Sequence, residues 1–348
     1  MTYNLAIIGF GTVGQGFAEL LQEKRESLKN TYGLEFEVVA ISDPIKGSIY
    51  ENAGVNLKEI LTLVKKEGKI DGYAGGIKGW DSIKTIEETN ADIIAEATPT
   101  NLESGEPGLT HIRTALKRGK HVITTNKGPI ALFYRELAQL AKDRGKSLGF
   151  EGTVLSGTPA INLSLLTLAG TNISEIIGIM NGTTNYILTQ MDAGKDYSEA
   201  LREAQRLGYA ETKPDADVEG WDALAKIVIL SNVLMGANLK VSDVEREGIT
   251  GITPSNIKDA KGEHKRYKLI ARAWKENGKV KAKVSPEKVD DGNILFHISG
   301  VGNAIQFKTD ILGRVTIVGP GAGKRETGFA LLNDLISIHR TPMGMKGV

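Results

Sequence analysis

The chain opens on an apolar run that gives way to glycines and then to an amphipathic stretch: NLAIIGFGTVGQGFAELL reads as a strand, a tight turn and a helix. Thr12 is placed to cap that helix. FEVVAI follows as a second strand, and residues 43–80, rich in Gly, Lys and polar side chains, read as an extended crossover holding one helix, NLKEILTLVKKEG. ADIIAEAT and KHVITT are further strands, each entering a polar loop; PIALFYRELAQLAKDRG makes a helix from Pro129, and KSLGFEG supplies another strand. Strands alternating with helices up to about residue 150 predict a Rossmann-type, doubly wound parallel sheet.

After Glu151 the pattern changes. TPAINLSLLTLA has helical periodicity, ISEIIGIMNGT reads as a strand, and NYILTQM, YSEALREAQRLG and the run after Asp222 read as helices. RYKLIARAWKENGKVKAKV predicts two strands around an Asn277–Gly278 turn, and NILFHIS, NAIQFKT and GRVTIVG predict three more. The last helix, TGFALLNDLISIHR, is expected to pack back on the first domain. The organisation expected is therefore a first domain over 1–150 completed by 319–348, and a second, mixed α/β domain over 151–318 that carries catalysis and dimerisation.

Gly9, Gly11 and Gly14 stand in a G-x-G-x-x-G pattern between strand and helix, the context in which that pattern binds a dinucleotide. Gly9 makes the tight turn, Gly11 lets the backbone approach a pyrophosphate, and Gly14 allows close helix packing. Phe10, Thr12 and Val13 complete the turn. Strand two ends at Ser42–Asp43, where an acid would accept the ribose hydroxyls of NAD, whereas Lys46 and Lys65 would receive a 2′-phosphate. NAD and NADP both stay open. The loops after the later strands hold Thr98, Pro99, Thr100, Asn126 and Lys127, at the carboxyl ends where open α/β sheets place ligands.

A second feature is one charge in an apolar helix. In ALAKIVILSNVLMGANL the only ionised side chain is Lys226, and Asp222 precedes it by one helical turn. Two readings stand side by side: a helix-end ion pair with the lysine stem along apolar surface, or a proton donor in a water-poor cleft. An ammonium withdrawn from water parts with its proton more readily, which suits the second.

Composition removes several alternatives. The 348 residues, 41% hydrophobic and 24% charged, suit a globular chain of two domains. With 43 basic against 42 acidic residues the net charge is +1, without the basic excess of a nucleic-acid binder. No apolar run reaches membrane-spanning length and no leader pattern is present, so a cytoplasmic protein is expected. The absence of cysteine excludes disulfides, thiolate metal sites and thioester chemistry, and with it aspartate semialdehyde dehydrogenase. The five histidines show no metal-ligand spacing.

GFGTVG, TTNKGPIA, NGTTNYIL, GYAETKPDADVEGWDALAK and GPGAG occur in the order found in homoserine dehydrogenases, and the chain resembles that family over essentially its full length. The central block is the most specific: Gly208, Glu211, Pro214, Asp217, Gly220, Asp222 and Lys226 fill the family's places. The resemblance implies reversible NAD(P)H-dependent reduction of L-aspartate 4-semialdehyde to L-homoserine, a step in threonine and methionine biosynthesis, in a homodimer. It implies Lys226 as the acid, with Asp222 holding it and Lys127 as the second candidate. Glu211, Asp217, Asp222 and Thr183 would bind the substrate, and Thr98, Lys127, Gly208 and Gly323 would border the cofactor in a crevice between the domains. Backbone carbonyls of Glu151, Val154, Ser156 and Thr158 match a loop that binds a monovalent cation such as sodium in some relatives. A fused kinase and a C-terminal amino-acid-binding domain, present in some relatives, are not expected here. A different dehydrogenase on the same plan would keep GFGTVG without the Glu211–Lys226 block, and a dinucleotide-sensing module would not place an ammonium in an apolar helix.

Overall fold

The computed structural model describes residues 2–340, in two compact units: the chain up to Gly157 together with the part from Gly323 on, and Thr158–Ala322. In the first unit β1 (Thr2–Ile8) runs into α1 (Thr12–Tyr32), and β2 (Glu35–Asp43) pairs with β1 in parallel. β3 (Gly47–Tyr50), α2 (Leu57–Glu67), β4 (Ile77–Lys78) and α3 (Ser82–Glu88) fill the crossover. β5 (Ile93–Glu96), α4 (Gly108–Lys117), β6 (His121–Thr124), α5 (Lys127–Asp143) and β7 (Leu148–Gly149) complete the unit's first pass. The sheet order is β4-β3-β2-β1-β5-β6-β7, so the order reverses between β1 and β5, the position at which doubly wound sheets bind ligands.

Three details depart from the sequence reading. The crossover adds β3 antiparallel to β2 and β4 antiparallel to β3, so the edge of the sheet is not all parallel. Thr12 is the first helical residue, not the cap; Gly11 holds the N-cap position and no side chain caps α1. α5 starts at Lys127, two residues before Pro129, because the Asn126 side chain accepts from Gly128 N at 3.2 Å and caps the helix earlier.

The second unit begins with one irregular turn over Leu163–Thr167 where a longer helix was expected. β8 (Ile173–Ile179), α6 (Gly182–Asp192), α7 (Tyr197–Arg206), the short α8 (Asp215–Val218) and α9 (Trp221–Leu234) follow. β9 (Glu245–Arg246), α10 (Pro254–Gly262), β10 (Lys265–Glu276), β11 (Lys279–Asp290), β12 (Gly302–Thr309) and β13 (Gly313–Pro320) build a six-stranded sheet in the order β13-β12-β8-β10-β11-β9. β10 and β11 pair antiparallel around Asn277 and Gly278, whose φ of 49° and 76° are the left-handed values a two-residue hairpin requires. NILFHIS is not a strand: Ile294–His297 forms a 3₁₀ turn that buries Leu295 against Ile177, Ile270 and Ala304. α9 packs on β8, β10 and β11, and its residues 223–232 are all buried, which is why the run is apolar all round.

α11 (Lys324–Arg340) returns to the first unit. It lies close to α1 because both helices carry glycine at the contact: a Cβ on Gly16 would stand 2.2 Å from Lys324 O, and one on Gly328 2.6 Å from Gly16 C. Leu331, Leu335 and Ile338 of α11 join Phe17, Leu21, Ile7 and Phe36 in one core, each such side chain contributing about 1.5–3 kcal/mol of burial. Glu151 N donates to Asp334 at 3.0 Å and Ser156 bonds Thr327 at 2.7 Å. The unit therefore extends to Gly157 rather than ending at residue 150.

Candidate active site

Gly220, with φ 82°, turns the chain out of α8 and lets α9 begin at Trp221, which puts Asp222 in the first turn at the positive end of the helix dipole. Lys226 lies one turn further and is 6% exposed. Its ammonium donates to Asp222 Oδ2 at 2.7 Å and to the Met180 carbonyl at the end of β8 at 2.6 Å. An ammonium has three donors, so one N–H remains for another acceptor. Asn181 then ties the acids together: its Nδ2 donates to Asp217 Oδ1 at 2.7 Å and to Asp222 Oδ2 at 2.9 Å, while its Oδ1 caps α6 by accepting from Thr184 N at 2.9 Å. Burial, and after it the Asp222 charge, push the Asp217 carboxyl above its usual range, against the bond from Asn181 and the Lys226 charge.

Thr183 Oγ1 donates to the Tyr209 carbonyl at 2.5 Å, which fastens α6 to the loop after α7. Glu211, in that loop, is exposed, and its carboxylate makes no hydrogen bond or ion pair among the described residues; its carbonyl accepts from Gln205 at 3.1 Å. The fold thus groups Asp217, Asp222, Lys226 and Thr183 around Asn181 and leaves Glu211 outside that network. Gly208 has φ 76°, a sufficient reason for glycine there.

The first unit carries the glycine-rich turn. A Cβ on Gly9 would meet Ala97 O, in the loop after β5, at 2.6 Å and one on Gly14 would meet Gly9 O at 2.2 Å, so Gly9 is required by the neighbouring loop and Gly14 by the turn itself. Gly11 differs: nothing lies within 4 Å of where its Cβ would stand. That open face, beside the uncapped N-terminus of a 21-residue helix, suits the pyrophosphate of a dinucleotide. Phe10 N donates to Asp43 Oδ2 at 2.7 Å, and Asp43 Oδ1 accepts from Ile45 N and Lys46 N, so this acid braces the turn with both oxygens. Thr98 follows β5, and Lys127 sits half-buried in the first turn of α5.

Glu151, Val154 and Ser156 end the first unit, and Thr158 opens the second. Leu155 and Ser156 adopt φ of 53° and 55°, which swings successive carbonyls in the turn. Gly323 has φ 137°, a conformation that by itself selects glycine. Among the described residues no group of three or more acidic or histidine side chains is arranged to hold a metal. Asn181 escaped the sequence reading. Its position before a helix signals a cap, but its reach to two acids more than thirty residues away has no local pattern.

Comparison with known proteins bears on the whole chain. Residues 159–336 match the family model described as homoserine dehydrogenase, and residues 9–151 match the homoserine dehydrogenase NAD binding domain. The NAD(+)-dependent homoserine dehydrogenase of Pseudomonas canavaninivorans is 42% identical over 97% of each chain. The crystal structure of a putative homoserine dehydrogenase from Archaeoglobus fulgidus superposes with a TM-score of 0.87 at 40% identity, covering 97% of this chain and 99% of that one. A hyperthermophilic archaeal homoserine dehydrogenase mutant in complex with NADPH gives 0.85 at 32% identity, over 98% and 99%. With a glycine-rich turn fit for a dinucleotide and a buried lysine–aspartate pair in the regions these models cover, the chain belongs to the homoserine dehydrogenase family.

Proposed function

We propose that Lys226, held by Asp222, handles the proton in the reaction of this family, the reversible NAD(P)H-dependent reduction of L-aspartate 4-semialdehyde to L-homoserine. The observation that carries the assignment is the buried ammonium with two fixed acceptors and one N–H to spare. In the reductive direction Lys226 Nζ donates to the aldehyde oxygen as that oxygen gains charge; in the oxidative direction the neutral amine takes the hydroxyl proton of homoserine. Asp222 compensates the ammonium, so Lys226 keeps its place in either protonation state. Asp217 and Glu211 offer carboxylates to the substrate ammonium, and Thr183 steadies the loop that carries Glu211. Lys127 is the second candidate for contact with the substrate or cofactor. The dinucleotide, when bound, supplies the two-electron donor or acceptor at its nicotinamide ring.

Gly9 to Gly14 hold the pyrophosphate through backbone N–H groups, Asp43 braces that turn and the adjoining ribose region, and Thr98, Gly208 and Gly323 border the cofactor. The relatives include one named for NAD and one seen with NADPH, and the enzyme is proposed to use NAD(P) without a choice between them. A sodium-like cation is assigned to the carbonyls of Glu151, Val154, Ser156 and Thr158, supported by the left-handed residues in that turn. The assembly proposed is a homodimer built through the second unit, where edge strand β13 and its turn expose Val318, Ile311 and Leu312. A cytoplasmic location is proposed with it; among the described residues no helix is long and apolar enough to cross a membrane.

The direct test mixes the chain with homoserine and either NAD or NADP at alkaline pH and follows the reduced-nicotinamide absorbance. Turnover with at least one cofactor is expected. Silence with both would leave a dinucleotide-binding module as the better reading. A Lys226→Met variant that keeps turnover while Lys127→Met loses it would transfer the proton to Lys127.

A further inference from the structure

One fully buried acid has no part in the site as described. Glu96 ends β5, flanked in the sheet by Ile8 of β1 and Thr124 of β6, at the carboxyl edge where the strand order reverses. Its Oε1 accepts from Thr98 N at 3.1 Å and from the Thr98 hydroxyl, and its Oε2 accepts from Thr124 Oγ1 at 3.0 Å. All three are accepted bonds, the pattern of an acceptor-only carboxylate. The group facing it from α4 is the buried His111, whose Nδ1 lies 3.5 Å from Oε1 and has no hydrogen-bond partner.

The bonds continue outward to the loops. Thr124 Oγ1 accepts from Asn126 N at 3.0 Å, and Asn126 Nδ2 donates to the carbonyls of Thr98 and Pro99 at 3.2 and 3.3 Å. Asn126 Oδ1 in turn caps α5, whose first residue is Lys127. One carboxylate therefore fixes both loops at the ends of β5 and β6. A buried charge is costly, and an apolar residue or a glutamine would close a strand edge more cheaply unless the charge itself were used. In a two-halved dinucleotide fold the glycine-rich turn after β1 and the acid after β2 serve the adenosine half, which leaves the β5–β6 edge to the nicotinamide half. The oxidised nicotinamide ring is a cation and the reduced ring is neutral.

We propose that Glu96 is a positioning residue for the nicotinamide half of the site, holding Thr98 and Asn126 in place and, by its charge, favouring the oxidised dinucleotide over the reduced one. The inference rests on the dinucleotide reading above and adds a determinant of redox-state preference. Glu96→Gln keeps the shape: its amide oxygen can still accept from Thr98 N, and the Thr124 hydroxyl can rotate to accept from the new NH₂.

The test measures dissociation constants of the full chain for the oxidised and reduced forms of NAD and of NADP, by quenching of protein fluorescence, together with the melting temperature. In Glu96→Gln the affinity for the oxidised form should fall about fivefold relative to the reduced form, a size fitting one charge acting across a screened interior. Equal weakening of both forms, or no change in a folded variant, overturns the proposal. Should Glu96→Gln fail to fold, the nearly isosteric Thr124→Val carries the test. It removes one donor and the acceptor of Asn126 N but keeps the charge, so both forms should bind several-fold more weakly with their ratio preserved; unchanged affinities overturn the proposal. A parent chain that binds neither form would refute the dinucleotide site itself, a different failure.

Discussion

Two lysines in the second unit are withdrawn from water, and they differ in what faces them. Lys226 on α9, 6% exposed, has a carboxylate and a carbonyl as partners. Lys268 on β10, 2% exposed, has only neutral acceptors, Asn185 Oδ1 at 3.1 Å and the Ile298 carbonyl. Burial first, and the nearby Arg266 second, push the Lys268 ammonium down to about 8, with Asp192 pulling the other way. A perturbed titration is often a signpost to function, yet Lys268 is bound on both sides by structure, a backbone carbonyl and a capped helix. It ties α6 to the loop before β12. Both ammonium groups have two acceptors and a third N–H left over; what distinguishes Lys226 as a lysine placed for proton transfer is its acid partner and the neighbouring Asp217 carboxylate.

The sharpest way to break that contrast is to remove each lysine in turn. Lys226→Met is expected to lower turnover by about 10²-fold or more with dinucleotide affinity unchanged, whereas Lys268→Met should leave turnover of the folded enzyme within a few-fold. Equal losses in steady-state assays would erase the distinction. Next in size is Asp222→Asn, which preserves shape but leaves Lys226, like Lys268, bonded only to neutral acceptors; turnover should fall about tenfold, and the pH–rate profile should change shape. A parental profile would show that the carboxylate charge is not used.

A smaller effect sharpens the substrate side. Asp217, bonded into the network through Asn181, should raise the Michaelis constant for homoserine about tenfold as Asp217→Asn, and exposed Glu211 should do so by a few-fold as Glu211→Gln. Neither should alter the constant for the dinucleotide; parallel rises for both ligands would contradict the assignment. The smallest effect on turnover concerns stability. Because Lys268 titrates lower in the folded chain than in the unfolded one, the unfolded state binds more protons between pH about 8 and about 10.5. Stability of the parent relative to Lys268→Met should therefore rise with pH across that window, by about 1 kcal/mol per pH unit, and be level below it. Chemical denaturation at several pH values would show a flat difference if the ammonium were fully solvated.

Much of the framework was legible along the chain. The glycine spacing after β1 marked the tight turn because main-chain conformation there is local: Gly9 takes φ 90° and a Cβ on Gly14 would meet Gly9 O within the turn itself. The Asn277–Gly278 hairpin was legible for the same reason. The pair Asp222–Lys226 was visible because one helical turn separates its members. Where an element's state depended on remote packing the pattern misled: NILFHIS alternates like a strand, yet Leu295 is drawn into the sheet's core from a 3₁₀ turn. Pro129 looked like a helix start, and the Asn126 cap displaced it.

By itself the sequence determined the class of the first unit, the glycine-rich turn, the buried lysine with its acid, and the resemblance that the family models bear out. Those features rest on contacts between residues a few positions apart, where hydrophobic period and backbone preference act directly. Only the tertiary structure decided which polar groups share a network. Asn181 reaches Asp217 and Asp222, Glu96 gathers Thr98 and Thr124, and Lys268 meets Asn185 and Ile298 across gaps that no local pattern spans. A buried polar group must find its partner wherever the fold supplies one, and that choice is made by packing rather than by neighbouring residues.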